Sequence, residues 1–195
     1  MVPGSCYRVL NAALPLALAR STPAQATRTM PGSIAVCLDY HCDLTQTVRL
    51  SQLQWRGVRA QFPGVSNPGA ERDAIRQAIA LPARQIGRVT SSWQGLPKNR
   101  AGAGLPDQLD CVAESPDSTT HLQRLADDRL LQWHEVEEPT KCTLWLVVAG
   151  WSAVIRERTT GERYAVDSRF LGTGLAPFVQ PLRHCLHGAD FAITR

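Results

Sequence analysis

The sequence predicts one α+β domain in which helices pack on an antiparallel sheet. Three observations point there. Residues 70–88 repeat apolar side chains at helical spacing. Two runs rich in Val, Ile, Tyr and Trp flank Thr160-Gly161 as a strand pair. A 195-residue chain that is 44% apolar can bury a sizeable core without help from disulfides.

The first 26 residues stand apart. Met1–Arg8 carries one positive charge, Val9–Ala19 (VLNAALPLALA) is an apolar run, and Ala24-Gln25-Ala26 is a small-x-small cleavage pattern. Together they read as a secretory signal peptide cut after Ala26, with residues 27–195 as the single domain. The run is too short to span a bilayer, so no stable membrane insertion is expected. The expected location is secreted or periplasmic. The net charge of +4 is mild and no basic run occurs, so no nucleic-acid partner is expected.

Residues 27–36 read as a polar leader. Ser51 is placed to cap a helix through SQLQWRGVRAQF, with Leu53, Val58 and Phe62 inward. PGVSNPG then makes a loop. In the helix over 70–88, Ile75, Ala78, Ile79 and Ile86 form one apolar stripe. Its early Glu71 and Asp73 and late Arg84 and Arg88 suit the helix dipole, while Pro82 predicts a kink near Ile79. Residues 94–110 read as a structured loop. Ser118 or Thr119 is placed to cap a helix to about Arg129, with Leu122 and Leu125 inward. Thr143–Glu157 and Arg163–Phe170 are the predicted strands, joined by a turn at Thr160-Gly161.

Cys6 precedes the apolar run, which leaves Cys37, Cys42, Cys111, Cys142 and Cys185. An odd number in an oxidising compartment leaves at least one thiol without a partner in the chain. Cys37 with Cys42 would close a small loop. Cys142 with Cys185 would tie the hairpin to the C-terminal tail and leave Cys111 free. Other pairings remain open. There is no CxxC, so zinc has little support, and no metal or cofactor is expected.

A thiol becomes a nucleophile when a helix N-terminus or nearby cation lowers its pKa. Cys111 follows a Gly-rich loop, and Gln108 just before it could donate to an oxyanion. Taken alone, Cys111 reads more simply as a buried structural thiol. On the hairpin, a two-residue turn sets Asp167 opposite Val154, with position 150 on the same face four residues further on. A bulge or a longer turn would bring them closer. Asp167 fits either a functional carboxylate or a strand-end residue bonded to the backbone.

Beyond these residues, AERDAIRQAIAL, NRAGAGLPDQLDCVAES, TTHLQRLADDRLLQWHEV and GERYAVDSRF resemble small exported bacterial members of the transglutaminase-like, papain-like cysteine proteinases. The likeness spans about residues 37–183, and DCVAES and TGERYAVDS are its most specific parts. It implies a transglutaminase-like core, with Cys111 as nucleophile opening a helix and Asp167 as orienting carboxylate. The base is implied at position 150, as the histidine of an HWTAVI-like run, where this chain has Gly150 before WSAVI. Between Asp110 and Asp167 the histidines are His121, within the predicted helix, and His134, just after it and off the strands. General-base assistance is worth about 10²–10⁴-fold, so its loss would disable such an enzyme. Two readings follow. The favoured one is a catalytically degenerate protein that binds a peptide or cell-envelope ligand. The other is an active cysteine hydrolase or acyl transferase using Cys111, Asp167 and a replacement histidine such as His134. Trp133, Trp145 and Trp151 fall near this region as cleft or core residues. The substrate and oligomeric state are not encoded in any recognisable motif.

Overall fold

The computed structural model describes residues 33–38, 40–90, 111–144, 148–168 and 174–186, with the backbone alone at 40, 111–113, 143–144 and 148–149. The signal-peptide segment, Gln108, Asp110 and Trp145 lie outside these residues. The chain forms β1 (Ile34–Cys37), β2 (Thr45–Val48), α1 (Gln52–Arg59), α2 (Pro68–Thr90), α3 (Cys111–Asp127), β3 (His134–Leu144), β4 (Val148–Glu157), β5 (Arg163–Asp167), β6 (Phe178–Pro181) and α4 (Leu182–Leu186). A short 3₁₀ turn, Tyr40–Cys42, joins β1 to β2. The expected α+β class is therefore present, with an antiparallel sheet ordered β3-β4-β5-β6 and a separate β1-β2 hairpin.

Each face of the large sheet has its own core, because side chains alternate along a strand. Ala153, Ile155, Tyr164 and Val166 join α1, α2, α3 and β1 through Trp55, Val58, Ile75, Ile79, Leu122, Leu125, Ile34 and Val36. Val154 and Ala165 point the other way, into a smaller cluster with Cys142, Leu182 and Cys185. The Cys142–Cys185 disulfide pins α4 to β3 there, and Cys37–Cys42 closes the β1-β2 turn. Both are among the pairings left open by the sequence, and Cys37–Cys42 is the one its spacing suggested.

Ser51 caps α1 in a reciprocal capping box with Gln54. Trp55 and Val58 are the buried residues of this helix, whereas Leu53 is 72% exposed, against expectation. In α2 the predicted stripe is buried, and the helix continues through Pro82. The polar leader is corrected at its end, where Ile34 and Val36 bury into the main core. α3 begins at Cys111, not at Ser118, and contains Pro116 in its second turn.

β3 is the largest departure from expectation. It begins at His134, so that histidine lies on a strand and not after a helix in a loop. Glu135, Glu137, Glu138 and Pro139 obscure the strand pattern in the sequence. They suit an edge strand, and the register of β3 against β4 shifts between Glu137 and Thr140, around the proline that lacks an N–H.

The turn between β4 and β5 is longer than predicted. Glu157 N–H donates to the Glu162 carbonyl at 2.8 Å, enclosing residues 158–161, and Gly161 takes φ +73°. Val154 pairs with Ala165, and Ala153 with Val166, so the register moves by two residues. Asp167 comes beside Ser152 instead of Val154.

The segment after β5 is strapped to α2. Arg84 donates to the Gly174 carbonyl at 3.2 Å and Arg76 to the Pro177 carbonyl at 2.9 Å. Gly174 has φ +82°, and a Cβ there would meet the Arg84 backbone Cα at 3.0 Å. Gly64 shares the left-handed backbone at φ +81° but faces open space. Both alanine variants strain the backbone by roughly 1–2 kcal/mol. Gly174→Ala should lose about 1–3 kcal/mol more than Gly64→Ala in denaturant unfolding, from overpacking against α2. Equal losses would show that the strap is not packed this closely.

Candidate functional site

Cys111 is the first described residue of α3. Ser118, further along α3, has its Oγ 3.2 Å from Ser168 Oγ. This contact sets the Asp167 end of β5 against the N-terminal half of the helix. Seven residues of helix rise about 10 Å, so Cys111 lies roughly that far beyond Ser118.

Asp167 is 3% exposed and accepts a 2.9 Å hydrogen bond from Ser152 Oγ. Gly150 is buried and pairs with Cys142, two residues beyond Ser152 along β4. Position 150 and Asp167 therefore share a face, as expected, and the longer turn has brought them closer. That face is the one carrying Cys142, Val154 and Ala165. The leucines of α3 pack on the opposite face, with Ala153, Ile155 and Val166. The structure thus brings position 150 to Asp167 but turns both away from the face that α3 covers.

His121 lies ten residues along α3 from Cys111, or about 15 Å of helical rise. It is buried, and its Nδ1 lies 2.7 Å from the Asp117 carbonyl. A carbonyl only accepts, so Nδ1 carries the proton. The ring stays neutral because burial pulls its pKa down to about 4, partly offset by that hydrogen bond. Nε2 is buried with no hydrogen-bond partner.

His134 is held differently. Its Nδ1 lies 2.7 Å from Glu71 Oε2, and both side chains are fully buried. Glu71 also accepts from the backbone N–H groups of Gln132 at 2.5 Å and Trp133 at 2.9 Å. On the other side of the ring, Arg72 Nη1 lies 3.3 Å from Nε2. A guanidinium can only donate, so Nε2 accepts and the single ring proton sits on Nδ1. Arg72 also donates to Glu157 Oε2 at 3.0 Å and lies 4.2 Å over the Tyr164 ring. Hydrogen bonding from Thr159, followed by Arg72, holds the Glu157 carboxyl below its ordinary range. Eight residues of β3 separate His134 from Cys142, the partner of Gly150, which is about 25 Å of strand. The structure does not bring His134 to position 150.

Sequence reasoning assigned Glu71 to the helix dipole and missed this cluster. The signal was present, since Glu71 precedes Ile75 and Ala78 on the buried stripe of α2 by four and seven residues. A carboxylate on an apolar stripe calls for buried donors.

Among the described residues, no group of three or more His, Cys, Asp or Glu is placed to hold a metal ion. No described helix is long and apolar enough to cross a membrane. Comparison with protein-family models, curated proteins and solved structures finds no match to this chain.

Two predictions follow from these groups. Burial pushes the Asp117 carboxyl up to about 7, against a hydrogen bond from the Cys37 N–H. Its folded pKa exceeds its unfolded value, so its contribution to stability falls as pH rises from about 4 to 7. His121 has the opposite sign, because its folded pKa is depressed and its contribution rises from about pH 4 to 6.5. The two slopes offset each other in the native protein. Unfolding measured across pH 4–7 should tilt upward with pH in Asp117→Asn and downward in His121→Asn, relative to wild type. Identical profiles would show that neither group titrates on unfolding. In addition, Glu71→Gln removes the charge and presents one amide face that cannot accept. It should cost about 3–5 kcal/mol in denaturant unfolding, as breaking a buried pair does; a loss below about 1 kcal/mol would mean the cluster is not load-sharing.

Proposed function

We propose that this chain is a non-catalytic relative of the transglutaminase-like, papain-like cysteine hydrolases, exported from the cell, that binds a peptide or cell-envelope ligand. One observation carries the reading: His121 lies far along α3 from Cys111, and His134 lies far along β3 from position 150. His121 is about 15 Å along the same helix. His134 has its free lone pair committed to Arg72 and sits at the far end of β3. A replacement base drawn from this segment would have to be one of them, and no observation favours it. The helix opened by Cys111 and the following antiparallel meander are compatible with a transglutaminase-like core.

Trp151 supports the binding role. It follows Gly150, pairs with the exposed Lys141, and is 43% exposed near one end of β4. A large aromatic left half in water is a common contact for a ligand.

The test is alkylation of the mature protein by iodoacetamide at pH 6–7, following Cys111 by mass spectrometry. The expected rate is that of an unactivated cysteine in a peptide. A rate ten times higher would overturn the non-catalytic reading, and a disulfide at Cys111 would remove both. Gly150→His should leave the rate unchanged, because a side chain at 150 projects to the Asp167 face. Co-sedimentation with purified cell-wall sacculi, and binding to unfolded casein peptides, test the ligand. Binding weakened at least fivefold by Trp151→Ala is expected, and no binding to either probe would overturn that part.

A further inference from the structure

We infer that Cys37–Cys42 is a thiol–disulfide exchange site, opened by a dithiol through Cys42 with Asp117 as the proton donor to Cys37. This is independent of any role for Cys111.

The bond spans five positions, with Cα atoms 4.8 Å apart. It closes a turn in which two consecutive non-glycine residues, His41 and Cys42, have φ of 57° and 63°. Left-handed backbone costs each such residue roughly 1–2 kcal/mol. The turn therefore gains conformational freedom when the bond opens. Strained and exposed disulfides are the more easily reduced ones. The two sulfurs also differ in access. Cys37 is 4% exposed and belongs to β1, whose Ile34 and Val36 are in the main core. Cys42 is partly exposed at the outer side of the turn. An incoming thiolate can reach Cys42, and Cys37 is then the leaving group. The Cys142–Cys185 bond offers no such access, since both cysteines are fully buried.

Asp117 is hydrogen-bonded to the backbone of the residue that carries the leaving sulfur. Its Oδ1 accepts the Cys37 N–H at 2.9 Å, which brings a partly buried carboxyl from α3 against that residue. The titratable groups along its side of α3 are Glu114, His121 and Arg124, three, four and seven residues away; His41 lies on the 3₁₀ turn that packs against this helix, and Asp43 follows that turn. The raised pKa of Asp117, about 7, keeps it protonated in mildly acidic solution and lets it give the proton up near neutrality.

The step balances as follows. A thiolate of the dithiol attacks Cys42 Sγ, the Cys37–Cys42 bond breaks, and a mixed disulfide forms on Cys42. Cys37 leaves as a thiolate and takes the proton from Asp117. The second thiol of the reagent, deprotonated by water, attacks the reagent's own sulfur in the mixed disulfide. Cys42 leaves as a thiolate and takes a proton from water. The dithiol is oxidised to a cyclic disulfide, and Cys37 and Cys42 are both reduced; Asp117 regains its proton from solvent.

The folded protein is equilibrated with mixtures of reduced and oxidised dithiothreitol, quenched with acid, alkylated and mapped by mass spectrometry. Cys37–Cys42 should open at a ratio of reduced to oxidised reagent at least tenfold below that for Cys142–Cys185. Its opening rate, divided by the reagent thiolate concentration, should fall above pH 7 in the wild type and be flat in Asp117→Asn. Opening of both bonds together, or of Cys142–Cys185 first, would overturn the exchange site. Equal pH profiles in the two proteins would overturn the part given to Asp117. Should Asp117→Asn not fold, the order of opening in the wild type decides the exchange site, and the wild-type pH profile decides the proton donor.

Discussion

The fully buried carboxylate of Glu71 is the constraint around which the domain is arranged. It accepts two backbone N–H groups that precede β3 and the ring proton of the residue that begins it. Those backbone groups precede the strand's own ladder, and the carboxylate pairs them instead. One side chain of α2 therefore sets where β3 starts. The next residue, Arg72, extends the attachment by reaching Nε2 of His134, the carboxylate of Glu157 and the ring of Tyr164. Helix α2 is fixed in this way to three successive strands at one end of the sheet. At the other end the strap residues after β5 return to α2 through Arg76 and Arg84.

The features legible in the sequence were those carried by local periodicity. The apolar stripe of α2 repeats every turn, and Leu122 and Leu125 of α3 are as deeply buried as their spacing implies. Ser51 with Gln54 wrote a capping box three residues apart. Of the cysteine pairs, Cys37–Cys42 was suggested by its short spacing, whereas Cys142–Cys185 was one of several open pairings. What was not legible depended on distant partners. The acidic residues and Pro139 hide β3 because an edge strand can spend polar side chains on cross-strand ion pairs, as Glu135 and Glu137 do with Arg156. The turn length at Gly161 was misread because Glu157 and its backbone close a wider loop. Helix α3 is already formed about two turns before Ser118, because it runs through Pro116, a residue that on local grounds argues against helix there.

The candidate site was legible in the same uneven way. The sharing of a face by position 150 and Asp167 follows from strand alternation, and a two-residue change in register preserves it because the period is two. The side on which α3 lies is a tertiary property that no local pattern encodes. It is decided by which face offers the larger apolar area, and Ile155, Tyr164 and Val166 outweigh Val154 and Ala165.

Face and reach together limit what chemistry this scaffold can perform. A base must lie within about 3 Å of the proton it takes, directly or through one water. Position 150 meets Asp167 but has no side chain and lies on the α4 side of the sheet. His121 faces the correct layer but stands about 15 Å down the helix. His134 has a hydrogen-bonded carboxylate behind it, the arrangement that orients a catalytic imidazole, yet Arg72 occupies its outward nitrogen. Removing Arg72 would not correct this, because the ring would still begin β3 at the end remote from Gly150. The Glu71–His134 pair is thus a carboxylate and an imidazole arranged for folding, and its resemblance to half of a triad comes from the shared need to fix a tautomer.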